Sequence, residues 1–215
     1  MTTSRLQIYN TALLMCGERS LASLTENREP RHLLDTVWNN GGVDDCLEEG
    51  QWFFAMRADE MGYDTDITPS FGYARAFTKP TDWLLTSAVC SDEFFRQPLL
   101  RYSDEAGYWT ADIDTIYVKY VSNDVQFGMN LALWTPSFTD FVASHFAYKI
   151  SFKLTNDEAT FNKLIAVRER MKRDAKNKSA MAETTKFSPP GSWSMARLRG
   201  STRRDGGNTS GDLIP

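Results

Sequence analysis

Residues 135–178 constrain the fold more than any other part of the chain, because they predict two long helices joined by a very short connection. Thr135 is a typical N-cap, and Pro136 follows it at the first helical position, where its missing N–H and fixed φ suit a helix. Aromatic residues then recur at three- and four-residue spacing, which gathers them onto one helix face. We therefore expect a helix over about residues 136–153 with a buried aromatic face.

A second helix is predicted directly after the first, over about residues 156–178. Thr155 and Glu158 have the spacing of a capping box, in which two side chains satisfy each other's free backbone donors. Apolar residues follow at helical spacing up to Ala175. Because the break between the two helices is so short, they should fold back on one another as an antiparallel pair.

Two more helices are predicted near the N-terminus, over about residues 4–16 and 30–49. The first has Thr3 or Ser4 as its cap and ends before Gly17, the residue type found most often just past a helix end. Pro30 stands where the first turn of the second begins.

The pair Gly41-Gly42 weakens the helix predicted over residues 30–49. Each glycine costs about 1 kcal/mol relative to alanine in a helix interior. We expect either tight packing against a neighbour or a local kink at this pair.

From Trp52 to Val121 the apolar period changes from helical spacing to alternation, which indicates strands. The clearest strand is "DTIYVKYV", where Ile116, Val118 and Tyr120 share one face. Residues 52–121 thus predict a small antiparallel sheet between two helical pairs, an α+β fold. The predicted domains are a helical body of residues 1–50 and 122–181 and a β-sheet domain of residues 51–121.

The remaining residues, 182–215, predict an extended C-terminal arm. They contain prolines, glycines and isolated apolar residues, too few to fold alone. Residues 168–215 hold 11 Lys or Arg against 5 Asp or Glu, whereas the first 167 residues hold 13 against 23. An acidic body argues against a duplex-binding surface there, while a basic arm suits nucleic acid or an acidic protein.

Few residues in the sequence suggest catalysis. No phosphate loop or nucleophile motif is present, so we expect no cofactor, no metal ion and no enzyme activity. Of the two histidines, His145 fits a buried core or interface residue better than a catalytic base, and His32 should be exposed. We interpret the three cysteines, which have no close CxxC pair, as reduced, buried thiols: Cys16, Cys46 and Cys90.

Carboxylates cluster at two places, around Glu48 and Glu49 and among the aspartates at positions 64, 66, 112 and 114. A pair at the right separation could hydrolyse sugars, and Glu48 near Trp52 is a place to look for a raised pKa. Solvated helix ends and acidic turns are the simpler interpretation.

The sequence predicts neither a membrane span nor a secretion signal. No stretch approaches the ~20 apolar residues that a bilayer helix needs. The N-terminus has no cationic segment followed by an apolar stretch, so no signal peptide is expected.

An ordered set of motifs resembles the head-to-tail adaptors of tailed bacteriophages, in particular the tail tubular protein A group. The motifs are "LxSLTE" from Leu21, "CLxxGxWxFA" from Cys46, "TIYVxYVSND" from Thr115 and an arm with Trp193, Arg197 and Arg199. The likeness covers nearly the whole chain in the same order, although the polar extension after residue 200 has no counterpart.

The resemblance implies a virion structural protein assembled in the bacterial cytoplasm. Such adaptors form a dodecameric ring under the portal protein, contact the next neck or tail protein, and surround the passing genomic DNA without reading its sequence. The arm residues implied to bind the portal are Pro189, Pro190, Trp193, Met195, Arg197, Leu198, Arg199, Arg203 and Arg204.

Two alternatives from other classes stay open. One is a cell-wall peptidoglycan hydrolase carried in the tail, with Glu48 and Glu49 as the first residues to mutate. The other is a nucleic-acid-binding module that uses the basic arm, whose binding would weaken steeply with salt.

Overall fold

A computed structural model describes residues 3–182, which belong to one compact unit. The predicted α+β class is confirmed. The elements in chain order are α1 (Arg5–Cys16), α2 (Glu29–Asn39), α3 (Gly42–Glu48), β1 (Met56–Gly62), β2 (Arg75–Thr78), β3 (Trp83–Cys90), β4 (Tyr102–Asp104), β5 (Tyr108–Ala111), β6 (Thr115–Ser122), α4 (Pro136–Thr155) and α5 (Glu158–Ala182).

Helix α4 is the centre of the helical part, since it contacts the other four helices. It begins as predicted, with the Thr135 hydroxyl accepting a hydrogen bond from the Phe138 amide and Pro136 in the first turn. Its aromatic side chains Phe138, Phe141 and Phe146 are fully buried. Burial of large apolar side chains of this kind contributes about 1.5–3 kcal/mol each, so α4 supplies much of the core.

Helix α1 also begins and ends as its sequence predicts. The Ser4 hydroxyl accepts from the Gln7 amide, and Gly17 ends the helix with φ +77°, a conformation that favours glycine. The helix packs against α4 through buried Ile8 and Leu13, among others.

The prediction of one helix over residues 30–49 is wrong, because α2 and α3 are separate. Gly41 lies between them with φ +79°, which turns the chain out of the helix. A Cβ on Gly42 would lie 2.7 Å from the Val37 carbonyl oxygen and 2.8 Å from the Phe146 ring. The glycine pair therefore produces both the kink and the tight packing, and residues 3–182 contain five helices rather than four.

The connection between α4 and α5 also differs from its prediction. Thr155 is the last residue of α4, and Asn156 follows in the left-handed region with φ 47°. The Asp157 carboxylate accepts from the amides of Ala159 at 3.1 Å and Thr160 at 3.0 Å. Asp157 thus caps α5, since a two-residue connection leaves Thr155 inside the preceding helix.

The strands form two antiparallel three-stranded sheets rather than the single sheet predicted. Their orders are β1-β6-β3 and β2-β5-β4. The predicted alternation from Trp52 begins too early, because the first strand starts at Met56. Trp52 is buried in the helical core, where its indole N–H donates to the carbonyls of Cys46 and Leu47.

Strand β6 joins two hydrophobic cores. Its predicted alternation is confirmed, since Ile116, Val118 and Tyr120 lie in the core that includes Phe77 and Trp109 of the second sheet. Val121, near the end of β6, belongs instead to the helical core. The sheets are thereby attached to the helices at one end of the central strand.

Within residues 3–182, no helix is both long and apolar enough to cross a membrane.

Candidate functional site

A polar cleft of about 560 Å³ lies where α3, α4 and the first half of α5 meet. Buried Val43, Cys46 and Leu47 fix α3 against the core, which leaves the acidic residues between them facing outward. The residues that line the cleft are Asp45, Glu48, Glu49, His145, Tyr148, Lys149, Ile165 and Arg168.

His145 forms the buried wall of the cleft, with only 3% of its surface exposed. Its Nδ1 accepts a hydrogen bond from Arg168 Nε at 2.9 Å, so the proton of the neutral ring is on Nε2. Burial, helped by the positive charges of Arg168 and Lys149, lowers the pKa of His145 from 6.5 to about 4. The ring is therefore neutral at pH 7, and its Nε2–H lies 3.4 Å from Asp45 Oδ2 without forming a hydrogen bond.

Arg168 ties α5 to the end of α3. Its guanidinium donates to the carboxylate of Glu49 and, at 2.7 Å, to that of Glu169. Lys172 bridges the same two carboxylates, at 3.1 Å from Glu49 and 2.7 Å from Glu169. Hydrogen bonds within this network raise the pKa of Lys172 and lower that of Glu169. The inner half of the cleft is thus fixed by ion pairs.

The outer edge of the cleft carries Asp45 and Glu48 of α3, and Asp44 precedes them on the same helix; we call these three carboxylates the α3 rim. Lys149 of α4 lies 3.2 Å from Asp45. Partial burial, and then repulsion from Asp45 and Asp44, raises the pKa of Glu48. Burial also raises the pKa of Asp44, although Asn123 donates a hydrogen bond to it. The α3 rim is therefore crowded with like charge.

The two candidate carboxylates of a sugar-cleaving site have different environments. Glu49 is held by Arg168 and Lys172, whereas Glu48 is exposed on the α3 rim. The pKa of Glu48 is raised, as its place near Trp52 suggested, by partial burial and then by repulsion from Asp45 and Asp44. The hydrolase alternative stays a prediction.

The aspartates at positions 64, 66, 112 and 114 act in turns, as the simpler interpretation held. Asp64 accepts from the Asp66 amide and the Thr78 hydroxyl, which lowers its pKa. Asp112 and Asp114 accept from the Ala74 amide and the Arg75 guanidinium, respectively. No group of three potential metal ligands occurs within the described residues 3–182.

The predicted exposure of the histidines and the predicted burial of the cysteines are confirmed. His32 is exposed, His145 is buried, and the three cysteines are buried and form no disulfide. The nine predicted arm residues, from Pro189 to Arg204, lie outside the residues that the structure describes.

Sequence reasoning missed the cleft itself. It predicted a buried position for His145 but did not bring Asp45 and Arg168 to it. The sequence did contain a signal for this cleft. Polar residues such as Arg168 and Lys172 stand one helical turn apart on a helix face that is otherwise apolar.

Comparison with known proteins gives no match, either to a family model or to a curated protein.

Proposed function

We propose that this chain is a structural head-to-tail adaptor of a tailed bacteriophage. It forms a ring, dodecameric as in the proteins it resembles, beneath the portal and continues the DNA channel towards the tail. Its partners are other copies of the chain, the portal and the next neck or tail protein. In this proposal the chain is a virion protein, and assembly rather than catalysis is its mechanism.

The motifs that carry the resemblance support the proposal by their place in the fold. The segment "CLxxGxWxFA" is the junction between α3 and β1, where Trp52 seals the helical core. The segment "TIYVxYVSND" is β6 and its exit, the strand that connects the two cores. Both motifs thus specify how the sheets attach to the helices.

The observation that carries the proposal is a group of exposed apolar side chains at the end of the sheets farthest from the helices. Strands β1 and β3 both end beside the first residues of β6, so the loops that follow them lie at that end. Phe71, Phe94 and Leu100 in these loops are 91%, 66% and 89% exposed. In this proposal these side chains contact the tail-side partner, because exposed apolar side chains that come together form protein interaction sites.

The proposal also assigns a role to each part of the chain. The helical body of residues 1–50 and 122–181 forms the ring, and the sheet domain of residues 51–121 faces the tail. The arm of residues 182–215 binds the portal, with Trp193, Met195 and Leu198 as apolar anchors and the arginines as polar ones. Aromatic residues and arginine dominate interface energies, which suits these roles.

The test is electron microscopy of the protein mixed with its cognate portal. The full chain should form a ring on the portal, and a chain ending at Glu183 should not. A full-length variant with Trp193→Ala and Arg197→Ala should also fail, while the matched Thr184→Ala, Thr185→Ala variant should assemble normally. If the full chain forms no ring on the portal, the adaptor proposal is wrong.

A further inference from the structure

Helix α5 carries a row of basic side chains that faces away from the body. The side that packs against the core includes Leu164, Ala175 and Ser179, which are buried. At about 100° per residue, the opposite side carries an exposed row that we call the α5 stripe: Lys163, Ala166, Arg170, Arg173 and Asn177. Among residues 3–182, none of the three basic side chains in this stripe has an ion-pair partner.

The α3 rim, in contrast, carries an excess of negative charge. Among residues 3–182, Lys149 is the one cation paired with its three carboxylates, and partial burial followed by repulsion from Asp45 and Asp44 raises the pKa of Glu48. Behind the rim, the Nε2–H of His145 is buried and makes no hydrogen bond. This donor is enclosed by the protein and open to no partner, whereas the crowded carboxylates of the rim favour a partner that brings positive charge.

Within one copy of the chain, the α5 stripe cannot reach the α3 rim. Arg168 and Lys172 of α5 point into the cleft, towards Glu49. Arg170 is two residues from Arg168, hence about 200° around the helix, and Arg173 is about 140° around it. The α5 stripe therefore lies on the side of α5 that is turned away from the α3 rim, and the two can meet only between molecules.

We propose that the α5 stripe of one copy docks on the α3 rim of the next copy in the ring. Arg170 and Arg173 of the stripe pair with the carboxylates of Glu48 and Asp45. Because the two surfaces differ and lie on different sides of the molecule, the contact is head-to-tail, the type that closes into rings.

This interface rests on the proposed function, and it also accounts for a soluble monomer. Ion pairs between exposed side chains are weak and are screened by salt, so isolated copies should associate poorly. A portal that holds many copies side by side raises their effective concentration and allows the ring to close.

The test is a charge exchange in the full-length chain, with ring formation on the cognate portal counted by electron microscopy. Glu48→Arg alone and Arg173→Glu alone should each reduce the fraction of portals with a ring by at least about tenfold, because each places like charges together. The variant carrying both changes should recover rings, and so should an equal mixture of the two single variants, which can alternate around the ring.

The matched controls are Glu93→Arg and Arg101→Glu, which reverse exposed charges in the sheet region and should form rings like the unmodified chain. Circular dichroism would show that all variants fold. If the unmodified chain forms rings and both single reversals do as well, the interface lies elsewhere and the adaptor function stands. Loss without recovery in the double variant would also refute this pairing. If even the unmodified chain forms no ring, the proposed function itself fails.

Discussion

At the scale of single residues, His145 shows how packing decides the chemistry of a side chain. A histidine on an aromatic helix face is ambiguous in sequence, but here burial and the Arg168 guanidinium together hold it neutral. A neutral ring has one donor and one acceptor, and Arg168 occupies the acceptor. The remaining donor, Nε2–H, is buried and makes no hydrogen bond.

Replacing His145 should make the protein less sensitive to acid. The pKa of His145 is about 4 in the folded protein, below its usual 6.5. Between these values the unfolded chain binds a proton that the folded chain does not, so stability is fully present above about pH 6.5 and falls as the pH approaches 4. His145→Gln keeps an acceptor for Arg168 but cannot titrate. From pH 7 to 4.5 this variant should lose roughly 2 kcal/mol less of its unfolding free energy than the unmodified protein.

Urea unfolding at both pH values measures this difference. His32→Gln, which removes the exposed histidine and keeps His145, is the matched control and should show the loss of the unmodified protein. An unchanged loss in His145→Gln would mean that His145 is not held neutral in the fold.

At the scale of helices and strands, the connection between α4 and α5 shows the limit of local capping rules. The Thr155 and Glu158 pair fits a capping box, yet Thr155 continues α4 and its hydroxyl donates to the Ser151 carbonyl at 2.9 Å. Asn156 in the left-handed region then turns the chain, which leaves Asp157 to cap α5. Packing of the two helices decides which of the competing caps is used.

Asp157→Ala should therefore destabilise the protein more than Thr155→Ala. The first removes the carboxylate that accepts from two amides at the start of α5, while the second removes a hydroxyl bonded chiefly within α4. Loss of an N-cap should lower the melting temperature by about 2–4 °C in a protein of this size. Thermal unfolding followed by circular dichroism compares the two variants. A larger effect of Thr155→Ala would instead support the capping box predicted from the sequence.

At the scale of the whole molecule, β6 makes the sheets and helices depend on each other. Side chains from most of its length pack in the core that it shares with the second sheet, and Val121 packs in the helical core. Trp52 and Phe54 add to this junction by packing against Phe138 of α4, with ring centroids 4.7 Å and 4.9 Å away. Neither core can be exposed without disturbing the strand that both share.

The buried thiols should consequently become reactive together. Cys46 lies in the helical core and Cys90 at the end of β3, and burial raises the pKa of Cys46. We expect both to react with a thiol reagent in one urea transition, because the strand shared by the two cores should make them unfold together. Mass spectrometry of labelled peptides gives the midpoint for each cysteine.

The control for this labelling is Ser70→Cys, which adds a thiol at an exposed position and should react without urea. A lower midpoint for Cys90 than for Cys46 would show that the sheets unfold before the helices.

The sequence by itself determined the features that depend on near neighbours. Ser4 and Thr135 cap their helices through amides three residues away, so these starts could be predicted from local spacing. The alternation along β6 reflects a strand buried on one face, which again is local. The burial of His145 followed from its place on an aromatic helix face.

Only the tertiary structure decided features that bring distant residues together. The separation into two sheets depends on pairings such as β2 with β5, which no local period encodes. The tight packing at Gly42 involves Phe146, about a hundred residues away, as well as nearby Val37, and it leaves no room for a side chain there. The cleft combines Asp45, His145 and Arg168 from three helices, and charge alone predicts neither their contact nor the pKa of His145. Local sequence thus sets the starts of α1 and α4 and the apolar face of β6, whereas long-range packing sets the partners of each element and the chemistry of the site.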